Sequence, residues 1–299
     1  MSAGVPVIDV HSHINETPET LGLLPHMRTQ ETWVMGTHLK DWSQIDEMAR
    51  QYPSKVIPGF GVHPWFAHTV TAESLGDDAG CTRQLLEDYL RRHPKCLLGE
   101  IGLDKIATHP GTRERYDYKH QMRVFEAQFE MASQLGLPVS VHAVRCHGEL
   151  LQYLQARAKA KRPARSSDRS VLDPGALDQH QHQQQQQQQQ PLLWPPAIML
   201  HSWSGSHEIT RAILKLPPRI SRLFYFSFSH IVNSRSPKWR EQIAEIPEDR
   251  ILAESDLGST ELVDEALDRV CAMIAEARGW SPEETLQRLH RNSSAFWER

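Results

Sequence analysis

Eight short apolar runs, each followed by a polar turn and an amphipathic segment, constrain this 299-residue chain more than any other feature. The runs are Val5–Val10, Thr32–Thr37, Val56–Val62, Cys96–Ile101, Val139–Ala143, Ala197–His201, Leu223–Phe228 and Ile251–Glu254. Parallel strands covered on both faces read as near-continuous apolar stretches of this length. Helices are predicted between them. Asp41–Gln51 opens on a capping residue and stops before Tyr52-Pro53. Arg115–Leu135 sets Met122, Phe125, Phe129, Ala132 and Leu135 at helical spacing and ends on Gly136, with Pro138 beyond. Glu261–Ala277 repeats Leu262, Ala266, Val270 and Ile274 four apart. Pro282–Trp297 has Ser281 as N-cap and Glu284 at the capping-box position. These apolar stripes are core faces. The alternation predicts an α/β fold of the (β/α)8 TIM-barrel type. A doubly wound open sheet also alternates, but it gathers ligand residues at one switch point. Here they end many different strands.

One segment departs from the pattern. From Ala158 to Pro191 the chain is basic, then serine-rich, then a histidine–glutamine tract closing on eight glutamines, Gln183–Gln190. Such a composition supplies no packed core and is expected to be disordered. The chain therefore reads as one barrel domain over 1–299 with a low-complexity insertion, 158–191, between strands five and six. There it belongs to an αβ loop, on the barrel face opposite the active-site face. No apolar run has the length of a membrane span, and no signal peptide is visible at the N-terminus. The four cysteines form no C-x-x-C pair, which points to reduced thiols in the cytoplasm or nucleus. A net charge of −4 and a pI near 6.5 do not indicate a broad basic surface for nucleic acid.

The chemistry sits where the runs end. Val7-Ile8-Asp9-Val10-His11-Ser12-His13 places two histidines at spacing two, which on a strand share a face. Imidazole is the commonest metal ligand among side chains. Strand three ends at His63, strand four at Glu100 and Asp104, strand six at His201 and strand eight at Asp256, while strand five carries His142. Each could be a capping residue or a satisfied core residue by itself. Together they fall at C-terminal strand ends, where barrel enzymes build their sites. Four histidines and two carboxylates (His11, His13, Glu100, His142, His201, Asp256) suit borderline divalent ions such as zinc or manganese. Six ligands exceed one catalytic zinc and fit two divalent metal ions sharing a carboxylate. The charge left over would attract a phosphate oxygen, so an acidic protein can still handle a polyanion.

The ordered set of motifs resembles the TatD family of metal-dependent deoxyribonucleases, a branch of the amidohydrolase-like barrels. The motifs are Asp9-Val10-His11-Ser12-His13, Gly61-Val62-His63-Pro64, Gly99-Glu100-Ile101-Gly102-Leu103-Asp104, Pro138-Val139-Ser140-Val141-His142, His201-Ser202-Trp203-Ser204-Gly205 and Glu254-Ser255-Asp256, with Gln121 and Phe125 on the fourth helix. The resemblance implies His11, His13, Glu100 and Asp256 at one metal, and Glu100, His142 and His201 at the other. It implies zinc, manganese or magnesium as the ions, Asp256 as the base acting on the attacking water, and a substrate-phosphate contact for His63. The family's arginine, usually two residues after the fifth-strand histidine, corresponds to Arg145, three after it, as a further substrate contact. The implied activity is hydrolysis of nucleic-acid phosphodiesters, often from the 3′ end, with single-stranded DNA as the substrate. Trp203 replaces the usual phenylalanine, and Leu257-Gly258 follows Asp256 where the family has x-Pro. These changes and the glutamine tract resemble a fungal branch named for association with a subunit of the anaphase-promoting complex. That branch offers the alternative of a barrel serving as a scaffold or regulatory partner.

The insertion is expected to be dispensable for folding and hydrolysis. Deleting Lys161–Gln190 and joining the ends with a short flexible linker should leave melting temperature and turnover near those of the full chain. A large loss of either would mean that the segment packs on the barrel or reaches the site.

Overall fold

The computed structural model describes residues 5–76, 81–109, 111–160 and 193–298. Eight strands form one sheet: β1 (Ile8–Ser12), β2 (Glu31–Met35), β3 (Val56–Phe60), β4 (Leu97–Asp104), β5 (Val139–Val144), β6 (Ile198–Leu200), β7 (Phe224–Ser229) and β8 (Ile251–Glu254). They follow one another in chain order, and each pairs in parallel with the next. The sheet curls into a TIM barrel, as the alternation predicts. Closure between β8 and β1 comes just beyond the strand ends. Asp256 N–H donates to the His11 carbonyl at 3.0 Å, and His13 N–H donates to the Leu257 carbonyl at 2.8 Å. The Asp9 carboxylate fastens the same seam by accepting from Ser255 N–H at 2.8 Å and Ser255 Oγ at 2.5 Å.

The helices cover the outside: α1 (Trp42–Gln51), α2 (Ala72–Gly76), α3 (Cys81–Arg92), α4 (Tyr118–Leu135), α5 (His147–Lys159), α6 (His207–Leu214), α7 (Pro218–Ser221), α8 (His230–Asn233), α9 (Trp239–Glu245), α10 (Val263–Arg278) and α11 (Pro282–Trp297). Their ends follow from local chemistry. Asp117 caps α4 by accepting from the Lys119 and His120 amides, and Gly136 ends it at φ 68°. Ser281 caps α11 through Glu284 N–H, with Pro282 in the first turn. Of the helices expected from sequence, Pro282–Trp297 keeps its bounds, while Arg115–Leu135 starts three residues later, at Tyr118. Helices α3, α5 and α6 lie in stretches where the sequence pattern marked none. Ala158 and Lys159 belong to α5, so the insertion begins later than 158. Residues 161–192 lie outside the described residues, and with them the expectation of a disordered tract. The chain enters that segment from the end of α5 and returns at the start of β6, on the face opposite the strand C-termini.

Strand alternation sorts the core into two layers. On β6 and β7, Ile198, Leu200, Phe224 and Phe226 face the helices, while Met199 and Tyr225 face the barrel interior. The interior cluster also takes Val10, Trp33, Met35, Ile57, Leu97 and Leu252. Phe296, from the last helix, joins it at 5.1 Å from the Trp33 ring and 5.3 Å from Tyr225. It stoppers the barrel at the end away from the site.

Truncation of a buried phenylalanine costs about 3–5 kcal/mol, part transfer and part cavity. Phe296→Ala is therefore expected to lower the melting temperature clearly. Cation content of the surviving folded protein should stay unchanged, because no ligand-type residue of the opposite face touches that ring. Loss of bound cation from a still-folded variant would contradict this separation.

Candidate metal centre

Glu100 is the hub. It lies in the middle of β4, is 1% exposed, and is surrounded by histidine nitrogens from four other parts of the chain. Its two oxygens face different sets. Oε2 is 3.4 Å from His11 Nε2 and 3.1 Å from His13 Nε2. Oε1 is 2.7 Å from His201 Nε2, 2.9 Å from His142 Nδ1 and 3.4 Å from His63 Nε2. Within each set the nitrogens also approach one another, His11 Nε2 to His13 Nε2 at 3.2 Å and His142 Nδ1 to His201 Nε2 at 3.0 Å. Asp256 Oδ1 lies 3.8 Å from both His11 and His13, on the Oε2 side.

Local structure delivers each of these groups. A register shift in the β1–β2 pairing between Asp9 and Ser12 lets β1 carry His11 inward, with His13 just beyond it. Gly102 holds φ 149°, and a Cβ there would meet the His142 carbonyl oxygen at 2.1 Å. Glycine thus allows the close approach of β4 and β5 that sets Glu100 beside His142. Ser202 (φ 40°), Asp256 (φ 56°) and Arg145 (φ 53°) all take left-handed backbone just past strand ends. Such conformations cost about 1–3 kcal/mol each for non-glycine residues and concentrate at functional sites. At Asp256 the turn also aims the amide back at His11.

Outer partners fix which nitrogen each ring presents. His13 Nδ1 lies 3.1 Å from the Met35 carbonyl, which can only accept, so in the neutral ring that nitrogen carries the proton and Nε2 turns its lone pair toward Glu100. His11 Nδ1 meets Ser140 Oγ at 2.8 Å, which likewise directs Nε2 inward. His201 Nδ1 faces Glu254 Oε1 at 3.5 Å, and that same oxygen accepts from Ser202 N–H at 2.7 Å and Ser202 Oγ at 2.6 Å. His142 Nε2 faces Asp104 Oδ2 at 3.7 Å. Asp104 is itself held by Gln121, whose side-chain oxygen accepts from Asp104 N–H at 3.0 Å. Histidines oriented from behind by carboxylates and carbonyls are the usual outer shell of a metal site.

His63 is built differently. Its Nδ1 accepts from Trp65 N–H at 3.2 Å, so in the neutral ring the proton sits on Nε2, facing Glu100 and the cavity. Burial pushes its pKa down to about 4. His63 is thus a neutral donor, in contrast to the lone pair that His13 presents.

Does the donor set fit a cation? Two nitrogens bound to one ion at 2.0–2.1 Å lie about 2.9–3.4 Å apart, which matches the separations above. Glu100 Oε1 is buried and makes no hydrogen bond. A buried carboxylate oxygen left unsatisfied demands a reason. Positive charge held beside it supplies one. His11, His13 and Asp256 form one group with metal-holding geometry, His11, Glu100 and His201 a second, and His63, Glu100 and His142 a third. The electrostatics agree. Burial opposes charge on Glu100, yet His201, His63 and His11 outweigh it and hold the carboxyl well below the usual range. Burial also disfavours charge on His13, but Glu100 overrides it and lifts the ring to about 9, so a cation binding at Nε2 must displace the proton that Glu100 favours there.

All six residues expected as ligands converge on this centre, and His63 stands beside them. Arg145 does not share their position: it sits just beyond β5 with an exposed side chain that does not line the cavity above Glu100. The sequence reading passed over the outer partners Ser140, Glu254 and Asp9 as separate actors, although all three lie inside the motifs it used. The cavity, of about 600 Å³, opens at the strand C-termini and is lined by the centre together with His38, Trp65 and Phe66. His38 and Phe66 carry no motif, and only the fold brings them here.

These residues form a candidate divalent-cation centre at the mouth of a (β/α)8 barrel, an arrangement that suits a metal-dependent hydrolase. The chain belongs to the family described as TatD related DNase, whose model matches residues 8–298. It is 29% identical to Cut9-interacting protein scn1 of Schizosaccharomyces pombe, over 97% of this chain and 98% of that one. It is 32% identical to a protein of Edwardsiella piscicida named 3′-5′ ssDNA/RNA exonuclease TatD, over 41% of this chain and 42% of that one. Its fold is similar to that of the TatD homologue YjjV of Escherichia coli, with a TM-score of 0.69 at 21% identity, covering 98% of both chains.

Removing an outer partner of a metal-ligating histidine typically costs about 10–100-fold in metal affinity or activity. Ser140→Ala should weaken cation binding by that order, read by competition with a chromophoric chelator. Unchanged affinity would mean that Ser140 does not orient His11.

Proposed function

We propose that the protein is a metal-dependent deoxyribonuclease that hydrolyses phosphodiester bonds of single-stranded DNA, releasing nucleotides from the 3′ end. One observation carries this reading: the two oxygens of buried Glu100 face separate sets of ligand-type nitrogens. That arrangement suits a carboxylate bridging two divalent cations. His11, His13 and Asp256 would hold one ion with Oε2, and His142 and His201 the other with Oε1. Zinc, manganese and magnesium are the candidates for a donor set of imidazoles and carboxylates. Bound there, the cations would supply Lewis acidity, drawing charge from a phosphate oxygen and making water a stronger acid.

The chain's own residues would do the rest. Asp256, at the rim and the most loosely held of the group, accepts the proton of the attacking water at a carboxylate oxygen. His63 donates its Nε2 proton to a non-bridging phosphate oxygen and orients the phosphorus for in-line attack. The water oxygen bonds to phosphorus as the bond to the leaving sugar oxygen breaks; that oxygen takes up a proton from solvent while Asp256 returns its own, giving a phosphomonoester and an alcohol. Arg145 would have to swing from its exposed position to meet the substrate backbone. The 3′-5′ direction rests on the name of the Edwardsiella relative. Among the described residues no helix is long and apolar enough to cross a membrane, and a reducing cytoplasmic or nuclear compartment suits the four unpaired cysteines.

A second reading is favoured by one finding. The fission-yeast relative that matches over nearly the whole length carries the name Cut9-interacting protein. A barrel that docks another protein through its outer surface is compatible with an intact metal centre.

Asp256→Asn keeps shape but removes the charge and the basic oxygen. Loss of general-base help costs about 10²–10⁴-fold, and the loss should fall mainly on kcat. The measurement is metal content, kcat and KM for the wild type and variant on a short single-stranded oligodeoxynucleotide, the RNA equivalent and a simple phosphodiester. Near-normal turnover by a metal-replete variant would remove Asp256 from the mechanism. No hydrolysis of any of the three by the metal-replete wild type would leave the docking reading in its place.

A further inference from the structure

We propose that Trp65, with the stacked pair His38 and Phe66 lining the same cavity, forms a nucleobase-binding platform at the rim of the candidate metal centre. The platform selects a nucleic-acid terminus with an intact base over a bare phosphodiester. The inference rests on the nuclease reading and names the part of the substrate that the metal centre itself cannot recognise.

Trp65 is 49% exposed, unusual for the largest apolar side chain in a chain whose Trp33, Trp42 and Trp203 are fully buried. It is nonetheless fixed. Its indole N–H donates to Asp104 Oδ2 at 2.7 Å, and its ring meets His63 edge-on with centroids 5.2 Å apart. Its backbone amide is tied to His63 Nδ1 in the turn that opens the 3-10 segment Pro64–Thr69. One edge is pinned, another is packed, and the rest of the ring is open over the cavity. A rigid aromatic surface loses little entropy when a flat ring stacks on it.

The neighbouring wall is aromatic too. The Phe66 ring stacks on His38 with centroids 4.4 Å apart and planes 17° from parallel. His38 is held in turn by Asp41, whose Oδ2 lies 3.0 Å from His38 Nδ1 and accepts from Thr37 N–H at 2.9 Å. These rings come from the segments after β2 and β3, on one side of the cavity. Asp256 lines another part of the same cavity, beyond β8. A phosphate drawn to Glu100's histidines would have this wall within the same cavity as its attached sugar and base. A cavity of about 600 Å³ is of the size that holds a nucleotide-sized ligand. Stacking suits an enzyme without base preference, because every base has a π-face. A net charge of −4 gives little overall attraction for a strand, so a stacking contact would supply grip that charge does not.

The test is a cycle of two proteins and two ligands. Metal-loaded wild type and Trp65→Ala are titrated by fluorescence anisotropy with a labelled short oligodeoxynucleotide, and with the same strand carrying an abasic 3′-terminal residue. Hydrolysis of both strands is followed in parallel. Stacking of one base corresponds to about 5- to 100-fold in affinity. Wild type should bind the intact strand more tightly than the abasic strand by that order, and Trp65→Ala should abolish most of that preference. Trp65→Phe, which restores a ring but not the hydrogen bond to Asp104, should restore most of it. A purely structural role for Trp65 would weaken both strands alike and would not be rescued by phenylalanine. Either an unchanged preference in Trp65→Ala or an equal loss on both strands overturns the proposal. Base-dependent binding without cleavage would sink the nuclease reading while keeping the platform, and cleavage with no base preference would do the reverse.

Discussion

An ionised carboxylate out of water is costly unless positive charge and hydrogen bonds surround it. Glu100 is such a carboxylate, placed at the centre of a barrel mouth, and much of the molecule can be understood as the arrangement that makes it tolerable. Five histidine nitrogens stand within 3.4 Å of its oxygens. They are not aligned as hydrogen bonds on Oε1. The cluster is therefore poorly satisfied as a set of protein groups alone and well suited to cations between them. That mismatch, more than the number of histidines, distinguishes a metal centre from a polar network that stabilises a core.

The demand spreads outward from the hub. Each ring must show one particular nitrogen, so each needs a partner behind it. Met35 offers a carbonyl, Ser140 a hydroxyl, and Asp104 and Glu254 offer carboxylates that are buried in their turn. Trp65 and the Ile106 and Ala107 amides satisfy the Asp104 carboxylate, and Ser202 satisfies that of Glu254. The same logic explains the backbone. Left-handed turns at Ser202 and Asp256 and the crowded Gly102 are conformations a barrel does not need for its own sake, and their cost is offset by the interior layer at the opposite end. There Trp33, Tyr225, Met199 and Phe296 fill the barrel with apolar volume and carry no chemistry. Stability and reactivity occupy opposite ends of one set of strands.

On the proposed nuclease reading, the same design would let a chain of net charge −4 face a polyanion. The attraction is local, at the bottom of a cavity, and the surroundings are aromatic and polar. Recognition of more than a phosphate would then fall to the walls, where Trp65 is half exposed. The inserted segment leaves and re-enters the barrel on the opposite face.

The sequence by itself determined the barrel and the hub. Eight apolar runs separated by amphipathic segments leave few alternatives, because parallel strands must be covered on both faces and joined by crossovers. Asp9-x-His11-x-His13, Glu100, His142, His201 and Asp256 were legible because ligands in a barrel sit at strand ends, and strand ends show in a sequence as the limit of an apolar run. Helices α3, α5 and α6 were not legible in that way. Their stripes are short and mixed with charge, so packing on the sheet decides them more than periodicity does. The tautomers of His13 and His63 depended on which group lay behind each ring, a fact of distance that no spacing encodes. Two similar histidines thus became a lone-pair donor and a proton donor. The wall of His38, Trp65 and Phe66 was equally hidden, since two separate loops form it only after the strands have brought them to one rim. The periodic burial of apolar side chains writes the fold into the chain. The site's specific chemistry comes from contacts between residues far apart in sequence, and only the closed barrel creates those.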